Sequence, residues 1–199
     1  MIISDRYYSN QLIAPTTTDD SVKCIGRLKM IQNNGYKIRN SSLKTFKQAI
    51  NDVYRLLIEL YSKFSEYKFV SEEQFFAIFY KLRHILVWDM VFLAYKDNKL
   101  AGFLISVPNL SDLTNSISLI NLLKIFIYKK RPKEFIILYL GTGEKHLGIG
   151  GAFAQLSKEY LQEHNCTGIG ALIHENKSGS YYKNLIVDRY DYILMKLDL

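Results

Sequence analysis

Few residues in this chain can cross-link or interrupt it. Its 199 residues include two cysteines, three prolines, one tryptophan and four histidines. Cys24 and Cys166 cannot staple a disulfide-dense scaffold, and no Cys or His pair stands at metal-ligand spacing, so no metal site is expected. No apolar run reaches bilayer length, and Met1 to Asn10 lacks the apolar stretch of a signal peptide. These absences lead to the expectation of a cytoplasmic protein with reduced thiols and no transmembrane segment.

What is present is ordinary for a globular domain: 48% hydrophobic, 23% charged and 14% aromatic residues. Disorder and collagen-like repetition each need a composition far from this one. The 26 Lys and Arg against 19 Asp and Glu leave a net charge of +7, most of it before Leu100. Such a field favours nucleic acid, phospholipid headgroups and phosphorylated cofactors alike. No recognition-helix motif accompanies it and the lysines are spread, so nucleic acid is not an expected partner.

Residues 1–34 mix polar and turn-forming types with short apolar patches and read as an N-terminal extension to a domain at 35–199. Tyr36 to Arg39 reads as a short strand. Phe46, Ile50, Val53, Leu57, Leu60 and Phe64 then recur at steps of three and four, one face of a long amphipathic helix. A second helix opens at Ser71, with Gln74 placed to complete a capping box. Trp88 to Tyr95 and Leu100 to Val107 read as an antiparallel pair joined by Lys96-Asp97-Asn98-Lys99. A mainly helical insertion, Asn109 to Lys133, precedes an apolar strand at Phe135 to Leu140. A helix beginning near Ile149, a strand at Thr167 to Ile173, a short helix at Asn176 to Asn184 and a strand at Asp191 to Lys196 complete the order. That order predicts an α/β or α+β fold with a mixed sheet.

Five of the eleven glycines fall between Gly141 and Gly151. A strand, a glycine-rich turn and a helix together build a phosphate cradle, because free amides and the helix dipole point at the anion and glycine puts no Cβ in its way. A Walker loop needs Gly, four residues, Gly, Lys and Ser or Thr, and no such run exists. Both registers of Gly-x-Gly-x-x-Gly fail, at Phe153 from Gly148 and at His146 from Gly141. The run Lys145-His146-Leu147-Gly148-Ile149-Gly150 instead fits a third form: Arg or Gln, two residues, Gly, any residue, then Gly or Ala, with lysine in first place.

In this loop, in the order of its elements, and in Asn176 and Tyr181-Tyr182-Lys183-Asn184-Leu185 near the end, the chain resembles the GNAT superfamily of N-acetyltransferases. The resemblance runs from about Gly35 to the C-terminus. It is nearer still to a bacterial branch of that superfamily in Leu100-Ala101-Gly102-Phe103, Val107-Pro108-Asn109-Leu110 and the basic stretch Lys129 to Lys133. The family's Gly-Phe before the last strand is Ile186-Val187 here, and its Val-x-Pro before the loop is Leu140-Gly141-Thr142.

The resemblance implies a mixed, mostly antiparallel central sheet flanked by helices, with the fourth and fifth strands, counted from Tyr36, splayed apart. It also implies a reaction in which an amine attacks the thioester of acetyl-coenzyme A or another acyl-coenzyme A. The pantetheine arm would bond to backbone near Leu140 and Thr142, and the pyrophosphate to the loop at Lys145, His146, Leu147, Gly148, Ile149, Gly150 and Gly151. Tyr182 would protonate the departing thiolate, and Asn176 would bond the pantetheine arm or cap its own helix. The expected acceptor is a small or amino-acid-like amine. The alternative is a GNAT-like ligand-sensing or interaction module without catalysis.

The general base stays open among Glu134, Glu144 and Asp89, each a carboxylate near an expected strand or the loop. The apolar segment Ile117 to Tyr128, followed by Lys129 to Lys133, is too short and polar to span a bilayer. It suits burial within the protein, including a cover over the acceptor site or a homodimer interface, better than peripheral contact of 117–133 with an anionic membrane.

Overall fold

The computed structural model describes residues 2–13, 19–61, 70–111, 125, 127–175 and 180–196. The strands are β1 (Ile2–Leu12), β2 (Lys37–Asn40), β3 (Val91–Lys96), β4 (Lys99–Pro108), β5 (Glu134–Thr142), β6 (Thr167–His174) and β7 (Ile186–Lys196). The helices are α1 (Asp19–Asn33), α2 (Phe46–Tyr61), α3 (Glu72–Leu82) and α4 (Ile149–Glu163), with short 3-10 turns at Trp88–Met90 and Ser180–Leu185. A seven-stranded sheet runs in the order β2-β3-β4-β5-β6-β1-β7. Its pairs are antiparallel except for β5 with β6. The fold is thus the mixed, mostly antiparallel α/β arrangement expected, with helices on both faces.

Local chemistry accounts for several elements. The side chain of Ser71 accepts from the Gln74 amide and that of Gln74 from the Ser71 amide, both at 3.2 Å, closing the predicted capping box on α3. The β3–β4 hairpin turns on Asp97 and Asn98, whose φ of 49° and 62° match the right-handed twist of the flanking strands. Val91, Leu93 and Tyr95 bury against α2 and α3, while Phe92 and Ala94 bury on the opposite face with Phe135, Ile149 and Phe153. Both faces of the centre of the sheet are therefore core. Residues Trp88–Met90, expected as the start of β3, form a 3-10 turn instead.

The main departure concerns the N-terminus. Residues 1–34, expected as an extension, supply β1, which lies inside the sheet between β6 and β7, and α1, which packs on α4. β1 lacks clean alternation because Ser9 and Asn10 are buried along with Tyr8 and Leu12, and a bulge falls between Tyr8 and Asn10. α1 buries Cys24 and Ile31 and packs Leu28 beside them.

Of the insertion before β5, the segment Ile117 to Tyr128 lies outside the described residues except at 125, 127 and 128, where Ile127 is exposed. Among the described residues no helix is long and apolar enough to cross a membrane.

Candidate active site

β5 and β6 pair only from Glu134–Ile137 to Thr167–Gly170. Beyond Ile137 the two strands part: β5 continues along β4 as far as Thr142, while β6 continues along β1 to His174. The expected splay is therefore present, and among the described residues it leaves Leu138 to Thr142 with β4 on one side and no strand on the other. Interior strand edges of this kind carry unmatched amides and carbonyls, which an extended ligand arm can pair. Leu140 and Thr142 stand on this edge, with the Leu140 side chain exposed.

The edge leads directly into the glycine loop. The Gly143 amide donates to Ala101 O and the His146 amide to Gly143 O, both at 2.9 Å, which tightens the turn. Gly148 caps α4 with a left-handed φ of 97° and no side-chain cap. The amides of Leu147, Gly148, Ile149, Gly150 and Gly151 have no hydrogen-bond partner among the described residues. Lys145 and Leu147 extend outward, and all five amides belong to the first turn of α4 or the residues leading into it, where the dipole is positive. His146 does not join the cradle. Its amide is used in the turn, and its Nδ1 lies 2.8 Å from Tyr36 Oη with the rings edge to face. It braces the loop against the start of β2.

The sequence reading missed the contribution of α1. A Cβ at Gly148 would stand 2.6 Å from Met30 Cε and 3.5 Å from Arg27 Cδ, so α1 forms a wall of the loop and brings the exposed Arg27 side chain beside Gly148. The spacing Cys24, Leu28, Ile31 was a signal for a packed helix in this segment.

On the sheet face away from α1 and α4, a groove of about 550 Å³ lies over the paired stretch of β5 and β6, before the strands part, with Glu134 and Ile136 of β5, Ile169 of β6 and Tyr190 and Tyr192 of β7 in its lining. The Glu134 carboxylate accepts from Asn109 Nδ2 at 2.5 Å, Thr167 Oγ1 at 3.2 Å and Gln11 Nε2 at 3.4 Å. Three donors from three segments hold it in one orientation. The other two candidate bases are elsewhere: Glu144 is exposed in the glycine loop and Asp89 in the 3-10 turn before β3.

Tyr182 is seated differently from the expectation. Its ring is partly buried, but its hydroxyl is sealed from solvent near Ser157 of α4 and Cys24 of α1, and has no hydrogen-bond partner among the described residues. Burial pushes the phenol well above its ordinary value, and the nearby Ser157 hydroxyl acts in the opposite direction. Lys158 Nζ donates to Cys24 Sγ at 3.6 Å in the same buried layer. The hydroxyl is thus enclosed between α1 and α4 and does not line the groove. Asn176 lies outside the described residues.

The sequence matches no family model and no curated protein. Its fold has counterparts among solved structures. A GCN5-related glucosamine N-acetyltransferase region of a fungal multi-domain β-N-acetylglucosaminidase superposes with a TM-score of 0.52 at 8% identity, over 96% of this chain and 20% of that one. L-PGS from Bacillus licheniformis superposes with a TM-score of 0.52 at 10% identity, over 89% of this chain and 49% of that one. The C-terminal domain of a protein assigned as a lysylphosphatidylglycerol synthetase from Agrobacterium fabrum gives 0.50 at 9%, over 87% and 47%. The chain therefore spans half or less of the length of each of these proteins. The fold is that of the GCN5-related N-acetyltransferases.

Proposed function

We propose that this chain, on its acetyltransferase fold, is an acyl-coenzyme-A-dependent N-acyltransferase, with acetyl-coenzyme A as the acyl donor and a small or amino-acid-like primary amine as acceptor. The observation that carries the reading is the unmatched inner edge of β5 running straight into the free amides at the start of α4. An extended amide-bearing arm suits the first and a pyrophosphate the second. Lys145 and Arg27 add positive charge where the phosphates would lie. The donor, when bound, supplies an acyl carbonyl activated by its thioester for direct attack by the amine. The chain's own residues then have separable tasks. Leu140 and Thr142 hold the arm through backbone, and amides of Leu147 to Gly151 hold the pyrophosphate.

Glu134 is proposed as the general base. An amine must lose its proton before it can attack, and Glu134 Oε is a positioned acceptor in the groove over the paired stretch of β5 and β6. Tyr182 is proposed to return a proton to the leaving sulfur: burial keeps its phenol protonated, as an acid requires. Reaching the sulfur needs α1 to draw away from the 180–185 turn. Asn176 remains proposed for the pantetheine arm.

The enclosure of Tyr182 Oη favours a second reading, a module that binds ligand without catalysis. Two measurements separate the readings. Acetyl-coenzyme A at 100 times its Kd stabilises a native protein by about 2.7 kcal/mol, which is a shift of roughly 5–10 °C in a domain of this size. Thiol release on a panel of amines then reports turnover. A shift with turnover supports the enzyme, a shift without turnover supports the module, and no shift at millimolar ligand rejects the cofactor.

A further inference from the structure

The described lining of the groove differs in charge from the chain as a whole. The chain carries a net charge of +7, yet the only charged group among the described lining residues is the carboxylate of Glu134. A second carboxylate, Asp188, stands beside Tyr190 and, with Glu134 more remotely, holds that phenol above its ordinary value. No lysine or arginine is among the described lining residues. A described lining with one carboxylate and no cation favours a positive group over an anionic one.

The walls are apolar and aromatic. Ile136, Ile169 and Ala171 form the floor, and Tyr190 and Tyr192, two residues apart on β7 and therefore on one face, stand at the side with about half of their surface exposed. Rings presented in this way stack on another ring or on the face of a cation. The neutral polar groups of the described lining are Ser9, Gln11 and the two phenols, of which Gln11 already spends its amide on Glu134 and Tyr190 its hydroxyl on Asp188. A polyol would find few partners here, and a polycation would find one carboxylate in the lining for several charges. The volume of about 550 Å³ lies within the range of ordinary small-molecule sites.

From this lining we infer that the acceptor is a monocationic amine with an aromatic or branched apolar body, its ammonium at Glu134 and its body against Tyr190, Tyr192, Ile136 and Ile169. The inference rests on the acyltransferase reading for the purpose of the groove, but the binding preference can be measured without it.

The test uses the full chain and three probes: 2-phenylethylamine, spermidine and glucosamine. Calorimetric binding is expected to be at least tenfold tighter for 2-phenylethylamine than for either other amine, and tighter than for its neutral analogue 2-phenylethanol. Tyr192→Ser, at a half-exposed position that tolerates a small side chain, is expected to weaken 2-phenylethylamine at least fivefold with an unchanged melting temperature. Tyr192→Phe is expected to bind like the wild type. Equal or tighter binding of spermidine or glucosamine overturns the inference, as does an unaffected Tyr192→Ser or no binding of 2-phenylethylamine at millimolar concentration. If 2-phenylethylamine binds as expected but acetyl-coenzyme A neither stabilises the chain nor releases thiol, the groove stands and the acyltransferase reading fails. Turnover of glucosamine alone leaves the reading standing and rejects the inference.

Discussion

Substituting Gly148 by alanine tests the loop on which the cofactor reading depends, and the structure separates its cost into two parts. Gly148 holds φ at 97°, a conformation that costs an L-residue about 1–2 kcal/mol. The added Cβ would also stand 2.6 Å from Met30 Cε, well inside ordinary van der Waals contact. That carbon is the end of a flexible side chain, so relief by a rotamer change costs about 1 kcal/mol rather than several. Gly148→Ala is therefore expected to destabilise the domain by about 2–3 kcal/mol, a fall of roughly 5–10 °C in melting temperature. A double-mutant cycle assigns the parts. In a Met30→Ala background the contact is gone, and Gly148→Ala should cost only the backbone share, about 1–2 kcal/mol. Urea unfolding of the four proteins measures both quantities. Gly148→Ala as stable as the wild type would refute the left-handed cap, and equal costs in both backgrounds would refute the packing of α1 on the loop.

Glu134→Gln keeps the size and part of the hydrogen bonding of the carboxylate but cannot accept a proton, so turnover of a good amine should fall about 100-fold with little change in melting temperature. Unchanged turnover in steady-state assays would remove Glu134 as base. Tyr182→Phe removes a buried hydroxyl that has no partner among the described residues, and should stabilise the fold by about 1 kcal/mol while lowering kcat by about 100-fold, the lower end for an acid because thiolates leave readily. Higher stability with undiminished kcat would reduce Tyr182 to a packing residue. Alkaline pH should also destabilise the fold. Burial raises Tyr160 from 10.0 to about 12 and raises Tyr182 further, so between pH 10 and 12 the unfolded chain loses protons that the native chain keeps. The urea midpoint should hold steady up to about pH 10 and fall above it; a flat profile to pH 12 would contradict the burial of these phenols.

Much of the candidate site was legible from residue spacing, but unevenly. The glycine loop, the strand before it and the helix after it were readable because turn chemistry and helical periodicity act within a few residues. For His146, expected in the cradle, the motif does not reveal that its amide closes the turn on Gly143 or that its ring meets Tyr36, 110 residues away. Glu134, Glu144 and Asp89 looked alike in sequence. Only Glu134 meets Gln11, 123 residues distant, and lies at the groove. Tyr182 matched its motif, yet where its hydroxyl points is decided by α1, a helix the motif does not contain.

The sequence alone determined the local structure: the capping box at Ser71, the turn at Asp97-Asn98, the apolar run of β3 and the glycine-rich entry to α4. Each follows from dihedral preference, hydrogen bonding or side-chain period over a short span. The tertiary structure alone decided that β1 fills the slot between β6 and β7, that β5 and β6 part beyond Ile137, that Arg27 stands beside the loop and that Tyr182 is enclosed. These are choices of register and partner between segments distant in sequence, about thirty residues apart for β5 and β6 and more than a hundred for the others. A strand with buried Ser9 and Asn10 and no clean alternation carries no local mark of its place, because the neighbours that pair with it come from the far end of the chain.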